Sequence, residues 1–278
     1  MSYLSKITKP TPQAACLTII GFPGVGKSTL AALFPAPLFI QAENAQTVFE
    51  SWAEDVQPSF FPMLPKPNKT SNIRTSEVLL DQLRELCTQE HDFQTLVIDT
   101  VTALNDLLTQ EVVAFDPHGA TDIGSAAGGF NKGFNVLAGL HAKIRSALEV
   151  CRKRGMTIVM LGHSGITKMK NRPDAGEYTA FTLDMPEASR AYYIHHADAV
   201  LYLKNKEYVS GLEKNNRGQV TRFGRITQTG ERVLIASSDG VTGFVDAKNR
   251  YGMPVEIEVP MGENPVLQYI PFFNQDRG

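Results

Sequence analysis

Gly21-Phe22-Pro23-Gly24-Val25-Gly26-Lys27-Ser28-Thr29 follows the apolar run Cys16-Leu17-Thr18-Ile19-Ile20 and precedes Leu30-Ala31-Ala32-Leu33. The first run reads as a buried strand and the last as the start of a helix. Strand, glycine-rich loop and helix in that order are what a phosphate-binding loop requires. Its glycines let the backbone curl so that N–H groups point inward at an anion. The helix N-terminus adds partial positive charge. The expected cradle is Gly21, Pro23, Gly24, Val25, Gly26, Lys27, Ser28 and Thr29. Lys27 supplies a full charge for the β- and γ-phosphates, and the Ser28 hydroxyl is a ligand for Mg²⁺. A glycine turn that merely caps a helix has no need of the Lys-Ser pair. The stretch therefore predicts a nucleoside triphosphate bound with Mg²⁺.

With 278 residues the chain can bury one large core, and one α/β domain with elaborations is expected. Residues 1–13, with Pro10 and Pro12 and no periodicity, read as an extended N-terminal arm before a domain spanning 14–278. A hydrophobic content of 42% argues against general disorder. The formal net charge of −2 means that any nucleic-acid contact must come from a local patch. Cys16, Cys87 and Cys151 form no CxxC pair, so neither a zinc site nor a disulfide framework is expected. No apolar stretch follows the N-terminal charges and no run has membrane-spanning length, so the reading is of a cytoplasmic protein without a membrane partner.

Leu38-Phe39-Ile40 reads as the second strand, ending in Gln41-Ala42-Glu43-Asn44. A carboxylate past a strand's C-terminal end lies where α/β sheets bind ligands. Glu43 is thus either the residue that polarises attacking water or an ordinary surface glutamate. Residues 45–74 read as an irregular surface excursion, rich in proline around Phe60 to Pro67. Ser76 to Gln89 has helical spacing, with Ser76 as its cap. Thr95-Leu96-Val97-Ile98-Asp99 is a buried strand ending in a carboxylate. Strand-ending aspartates are common, but downstream of the phosphate loop this is the Walker B pattern, in which Asp99 is expected to hold the Mg²⁺ through a water or a hydroxyl.

A helix over Val101 to Val113, a glycine-rich loop over 115–133 and a helix over Phe134 to Arg154 follow. The basic end Arg152-Lys153-Arg154-Gly155 reads as ordinary helix capping. Met156 to Leu161 reads as a further core strand ending in Gly162-His163-Ser164. His163 is either a sensor of the γ-phosphate or a structural histidine. Residues 165–185 read as a second long loop, in which Lys168, Lys170 and Arg172 suit contact with a phosphate backbone. A helix over Glu187 to His196 and a strand over Asp198 to Leu203 come next, and His195-His196 reads as structural. The chain ends in short strands over Val220 to Ile226, Arg232 to Ile235 and Val255 to Val259. Between the last two, Lys248 and Arg250 share one face of an extended segment. They are either a pair that completes a neighbouring subunit's nucleotide site or an edge-strand pair that deters aggregation.

This order of parts resembles the RecA/Rad51-like P-loop ATPase core over roughly residues 16–260. More closely, it is similar to phage-encoded nucleotide-binding proteins of that group related to single-strand-annealing recombinases. The resemblance implies a mostly parallel α/β sheet flanked by helices, with a β-rich C-terminal part. It implies Glu43 as general base, Asp99 in the Walker B position and His163 where the family places a polar γ-phosphate sensor, usually an amide. Residues 115–133 correspond to the first DNA-binding loop, here nearly free of Lys and Arg, and 165–185 to the second. Lys248-Asn249-Arg250 resembles the family's trans-acting Lys-x-Lys or Lys-x-Arg pair. The implied activity is ATP hydrolysis at interfaces of a filament or ring on single-stranded DNA, for recombination or annealing, alongside phage or host recombination proteins. The competing readings are a P-loop small-molecule kinase, with the long loops as lids, and a nucleotide-switched adaptor such as a helicase loader.

Overall fold

The computed structural model describes residues 3–169, 178–211, 213–214, 220–222, 225–237 and 243–277. In chain order the elements are β1 (Cys16–Gly21), α1 (Lys27–Ala31), β2 (Pro37–Gln41), β3 (Ser59–Phe60), α2 (Thr75–Thr88) and β4 (Thr95–Asp99). They continue with α3 (Val101–Ala114), α4 (Lys132–Lys153), β5 (Thr157–Met169), β6 (Tyr178–Leu183), α5 (Glu187–Ile194) and β7 (Ala199–Ser210). Short strands β8 (Glu213–Lys214) and β9 (Val220–Arg222) precede β10 (Arg225–Ile235), β11 (Lys248–Asn249) and β12 (Glu256–Val259).

The main sheet runs β12-β10-β7-β1-β5-β4-β2-β3, with β6 added to β5 and β11 to β7. From β7 to β3 the path is parallel, while β10 and β12 turn antiparallel at one side. This is the mostly parallel α/β core expected, with its β-rich C-terminal part. The central strands bury both faces, so their residues alternate between two hydrophobic clusters. Ile20, Ile40, Ile98 and Met160 face the side covered by α2, α3, α4 and α5. Ile19, Phe39, Val97 and Leu161 face α1 and the C-terminal segment around Val266 and Ile270.

Several elements depart from the sequence reading for identifiable reasons. Residues 45–74 are tied into the body: Phe49 and Leu64 are buried, and Ser59–Phe60 extends the sheet beside β2. Apolar residues spaced by prolines lack periodicity, so their burial depends on the sheet edge they meet. Ser76 lies inside α2, where its amide and hydroxyl donate to Glu111, and no side chain caps that helix. Strand β5 does not stop at Ser164. It continues to Met169 and pairs antiparallel with β6, so residues 165–169 and 178–183 of the expected second loop are strand. The 115–133 loop is held by the buried Asp116 carboxylate, which accepts from the amides of His118, Ala120 and Ala127. Tyr3–Lys6 is a single 3-10 turn, and Ile7 to Gln13 are exposed.

Two buried polar centres lock these layers. Thr18 Oγ1 of β1 donates to the Tyr193 carbonyl of α5 at 2.6 Å. His141 of α4 lies between Tyr193 Oη at 2.6 Å and Asn105 Oδ1 at 3.2 Å. Burial holds its pKa down from 6.5 to about 4, so the ring is neutral in the fold. The unfolded chain then binds a proton that the native state refuses. His141 contributes stability above its unfolded pKa, and that stability is lost as pH falls from 6.5 toward 4. The H141Q variant should show a shallower loss across this window, by about 3 kcal/mol at its acidic end, in urea unfolding at stepped pH.

Candidate nucleotide site

Register builds the site. The β1–β5 pairing sets Gly21 opposite His163, and β2–β4 sets Gln41 opposite Asp99. The phosphate loop, His163, Asp99 and Glu43 therefore emerge at one edge of the sheet, around a cleft of about 240 Å³. Its walls include Gly24, Gly26, Lys27, Ser28 and Thr29 on one side and Glu43, Asn44, Asp99 and His163 on the other. Gly24 at φ 75° and Gly26 at φ 97° adopt left-handed conformations that favour glycine.

Lys27 is buried, and its ammonium donates to the carbonyls of Gly21 and Phe22, both at 3.1 Å. It also lies 3.3 Å from His163 Nδ1. An ammonium can only donate, so Nδ1 accepts and the ring proton sits on Nε2. Nε2 then donates to Glu43 Oε1 at 3.2 Å. A relay Lys27–His163–Glu43 thus spans the cleft. The backbone amide of His163 donates to Thr102 Oγ1 at 2.8 Å, which fixes the strand where the relay crosses it. Ala42 and Glu43 amides donate to the Asp99 carbonyl at 2.9 and 3.3 Å and hold the Glu43 loop against β4.

The electrostatics follow from burial and pairing. Burial pulls the Lys27 pKa down, opposed by the charges of Asp99 and Glu43. The hydrogen bond from His163 holds Glu43 below its ordinary 4.5, against the effect of its own partial burial. Burial raises Asp99 above 3.8, opposed by the hydrogen bond that Ser28 donates at 2.6 Å. That hydroxyl and carboxylate form a paired set of hard oxygen donors at the loop. They fit Mg²⁺, which prefers such ligands, and Ser28 and Asp99 are the residues that would hold it.

A family model described as an AAA domain matches residues 13–251. The chain belongs to the AAA domain family. It is a P-loop NTPase, and the loop at Gly21–Thr29 is the element that membership leads one to expect. No curated protein matches the chain. Among the described residues no helix is long and apolar enough to cross a membrane.

The other sequence-named residues lie elsewhere on this AAA domain. Lys168 is exposed on β5, beyond His163 on the same strand, while Lys170 and Arg172 lie outside the described residues. Lys248 and Arg250 are not at the chain's own cleft. β11 pairs with Ala199 and Val200, at the start of β7, toward the sheet edge opposite the phosphate loop. There Lys248 donates to the His195 carbonyl at 2.7 Å, and Arg250 pairs with Asp198 at 3.2 Å. Asp198 is a buried hub, accepting also from the Cys16 amide at 3.0 Å and pairing with Arg152 at 3.1 Å. The basic end of α4 is thus an ion-pair partner rather than only a cap. Arg250 also borders a hollow of about 620 Å³ lined by Arg145, Arg152, Lys153 and His195.

Sequence reading did not find Thr102, Asp198 or the approach of Arg232 to Gly26. None stands in a motif, and each depends on pairing across the fold. One check follows from the relay. In a carboxyl NMR titration of the nucleotide-free protein, Glu43 should titrate below 4.5 and move back up toward it in H163A.

Proposed function

We propose that this AAA domain hydrolyses ATP with Mg²⁺, binds single-stranded DNA and assembles head to tail, so that each nucleotide site is completed by a neighbour. The observation that carries the reading is the separation of two halves of a catalytic set. Lys27, Ser28, Glu43, Asp99 and His163 converge at one sheet edge. Lys248 and Arg250 stand toward the opposite edge, with the Arg250 side chain 61% exposed. A heterologous interface stacks one edge on the other, closing as a ring or continuing as a filament.

In this mechanism the triphosphate enters the cleft and Lys27 exchanges its two carbonyl partners for the β- and γ-phosphates. Ser28 and Asp99 are the residues that would hold Mg²⁺, whose charge would offset that of the phosphates. Freed from the Lys27 contact, the His163 ring swings its Nε2–H from Glu43 to a γ-phosphate oxygen, and Glu43, released, accepts the proton of the attacking water. Arg250 and Lys248 of the adjoining copy stabilise charge in the transition state.

DNA binding is supported by what β5 joins. His163 at the site and exposed Lys168 beside β6 share one strand, so the presence of a γ-phosphate bears on the β5–β6 pair directly. In the glycine-rich loop, where cations are scarce, Phe130 is 93% exposed, a ring on which a base can stack. Such contacts do not read sequence, which suits RecA-like recombination or single-strand annealing, in phage or host.

The test is ATP hydrolysis by purified protein across protein concentration, with and without single-stranded DNA. Turnover should rise with DNA and more than linearly with protein. E43Q should lower it about 100-fold or more while ATP still binds. R250A mixed with K27A should recover part of the activity that each lacks alone, because one interface then pairs an intact loop with an intact Arg250. A rate that ignores DNA and scales linearly with protein would sink the reading in favour of a kinase or an adaptor.

A further inference from the structure

Arg232 lies on β10, in register with Asn205 of β7 and Val259 of β12. Since β7 borders β1 on the side away from β5, Arg232 comes to the phosphate loop from the flank opposite His163, Asp99 and Glu43. Its guanidinium rests on Gly26. A Cβ built on that glycine would overlap Arg232 Nη1 and stand 3.5 Å from Cζ. Among the described residues the Arg232 guanidinium, on a half-buried side chain, has no hydrogen-bond or ion-pair partner. The other buried or half-buried arginines among the described residues, Arg74, Arg145, Arg152 and Arg190, each have an ion-pair or hydrogen-bond partner.

A half-buried guanidinium without an anion forfeits hydration and gains nothing in return. This one sits against the loop whose purpose is to hold an anion. A triphosphate also carries more negative charge than Lys27 and one divalent cation cancel. We propose that Arg232 is a nucleotide-binding residue acting in cis, its guanidinium closing over the α- and β-phosphates from the β10 flank. The γ-phosphate belongs to the other flank, where Glu43 and His163 stand. Arg232 therefore contacts the part of the ligand that ATP and ADP share. A guanidinium suits the task because its fork can meet two phosphate oxygens at once. The inference rests on reading Gly21–Thr29 as the nucleotide site, and it adds a residue that no phosphate-loop motif contains.

The experiment measures ATP and ADP affinity by calorimetry, with Mg²⁺, for wild type, R232Q and R232K, with thermal melting to confirm that each is folded. R232Q keeps the stem and removes the charge. It should raise the Kd for both nucleotides about tenfold, as loss of a charge-assisted contact does, with R232K between it and wild type. An unchanged Kd in R232Q, or a loss confined to ATP, overturns the inference and leaves the site itself standing. A wild-type protein that binds neither nucleotide overturns the phosphate-loop reading and this inference together.

Discussion

The buried ammonium of Lys27 is the constraint on which the nucleotide site depends. A cation with so little access to water must be met by protein acceptors, or it loses its charge. Here the acceptors are two carbonyls of its own loop and one histidine nitrogen. Each choice fixes something else. The carbonyls hold the loop in its curled form. The histidine is committed to one tautomer, which directs its proton at Glu43 and keeps that carboxyl ionised. One buried charge thus sets the tautomer of one neighbour and, through it, the hydrogen bond to a second.

Asp198 plays the corresponding part toward the far edge of the sheet. Its carboxylate joins the start of β1, the end of α4 and the segment after β11. An acceptor shared among an amide and two guanidinium groups loses little by being buried. The same hub that closes the fold therefore presents Arg250 at the surface. Strand β1 connects the two centres. Its first amide is tied to Asp198, and its last residue pairs with His163 and opens the phosphate loop.

The phosphate loop and the Asp99 strand were legible because their chemistry is local. Glycine spacing, a Lys-Ser pair and an apolar run ending in a carboxylate need no knowledge of the remote chain. Glu43 and His163 were legible as positions at strand ends, but not as partners. Their bond depends on β5 and β4 lying between β1 and β2 in a fixed register. The pairing of β5 with β6 was hidden because Gly162 and Gly165 look like the start of a loop. Each instead accommodates a close neighbour, the Leu183 side chain at Gly162 and Asp184 at Gly165. Ser76 was misjudged as a cap because its true partner, Glu111, is 35 residues away.

The sequence by itself determined that this chain folds as an α/β sheet around a loop for phosphate. Short-range periodicity and backbone freedom are written residue by residue. Only the tertiary structure decided which side chains share a charge or a proton. It put Lys27, His163 and Glu43 in one relay, set Lys248 and Arg250 toward the opposite edge, and laid Arg232 on Gly26. Hydrogen bonds and ion pairs act over a few ångströms in space, and strand order alone determines which remote residues come that close.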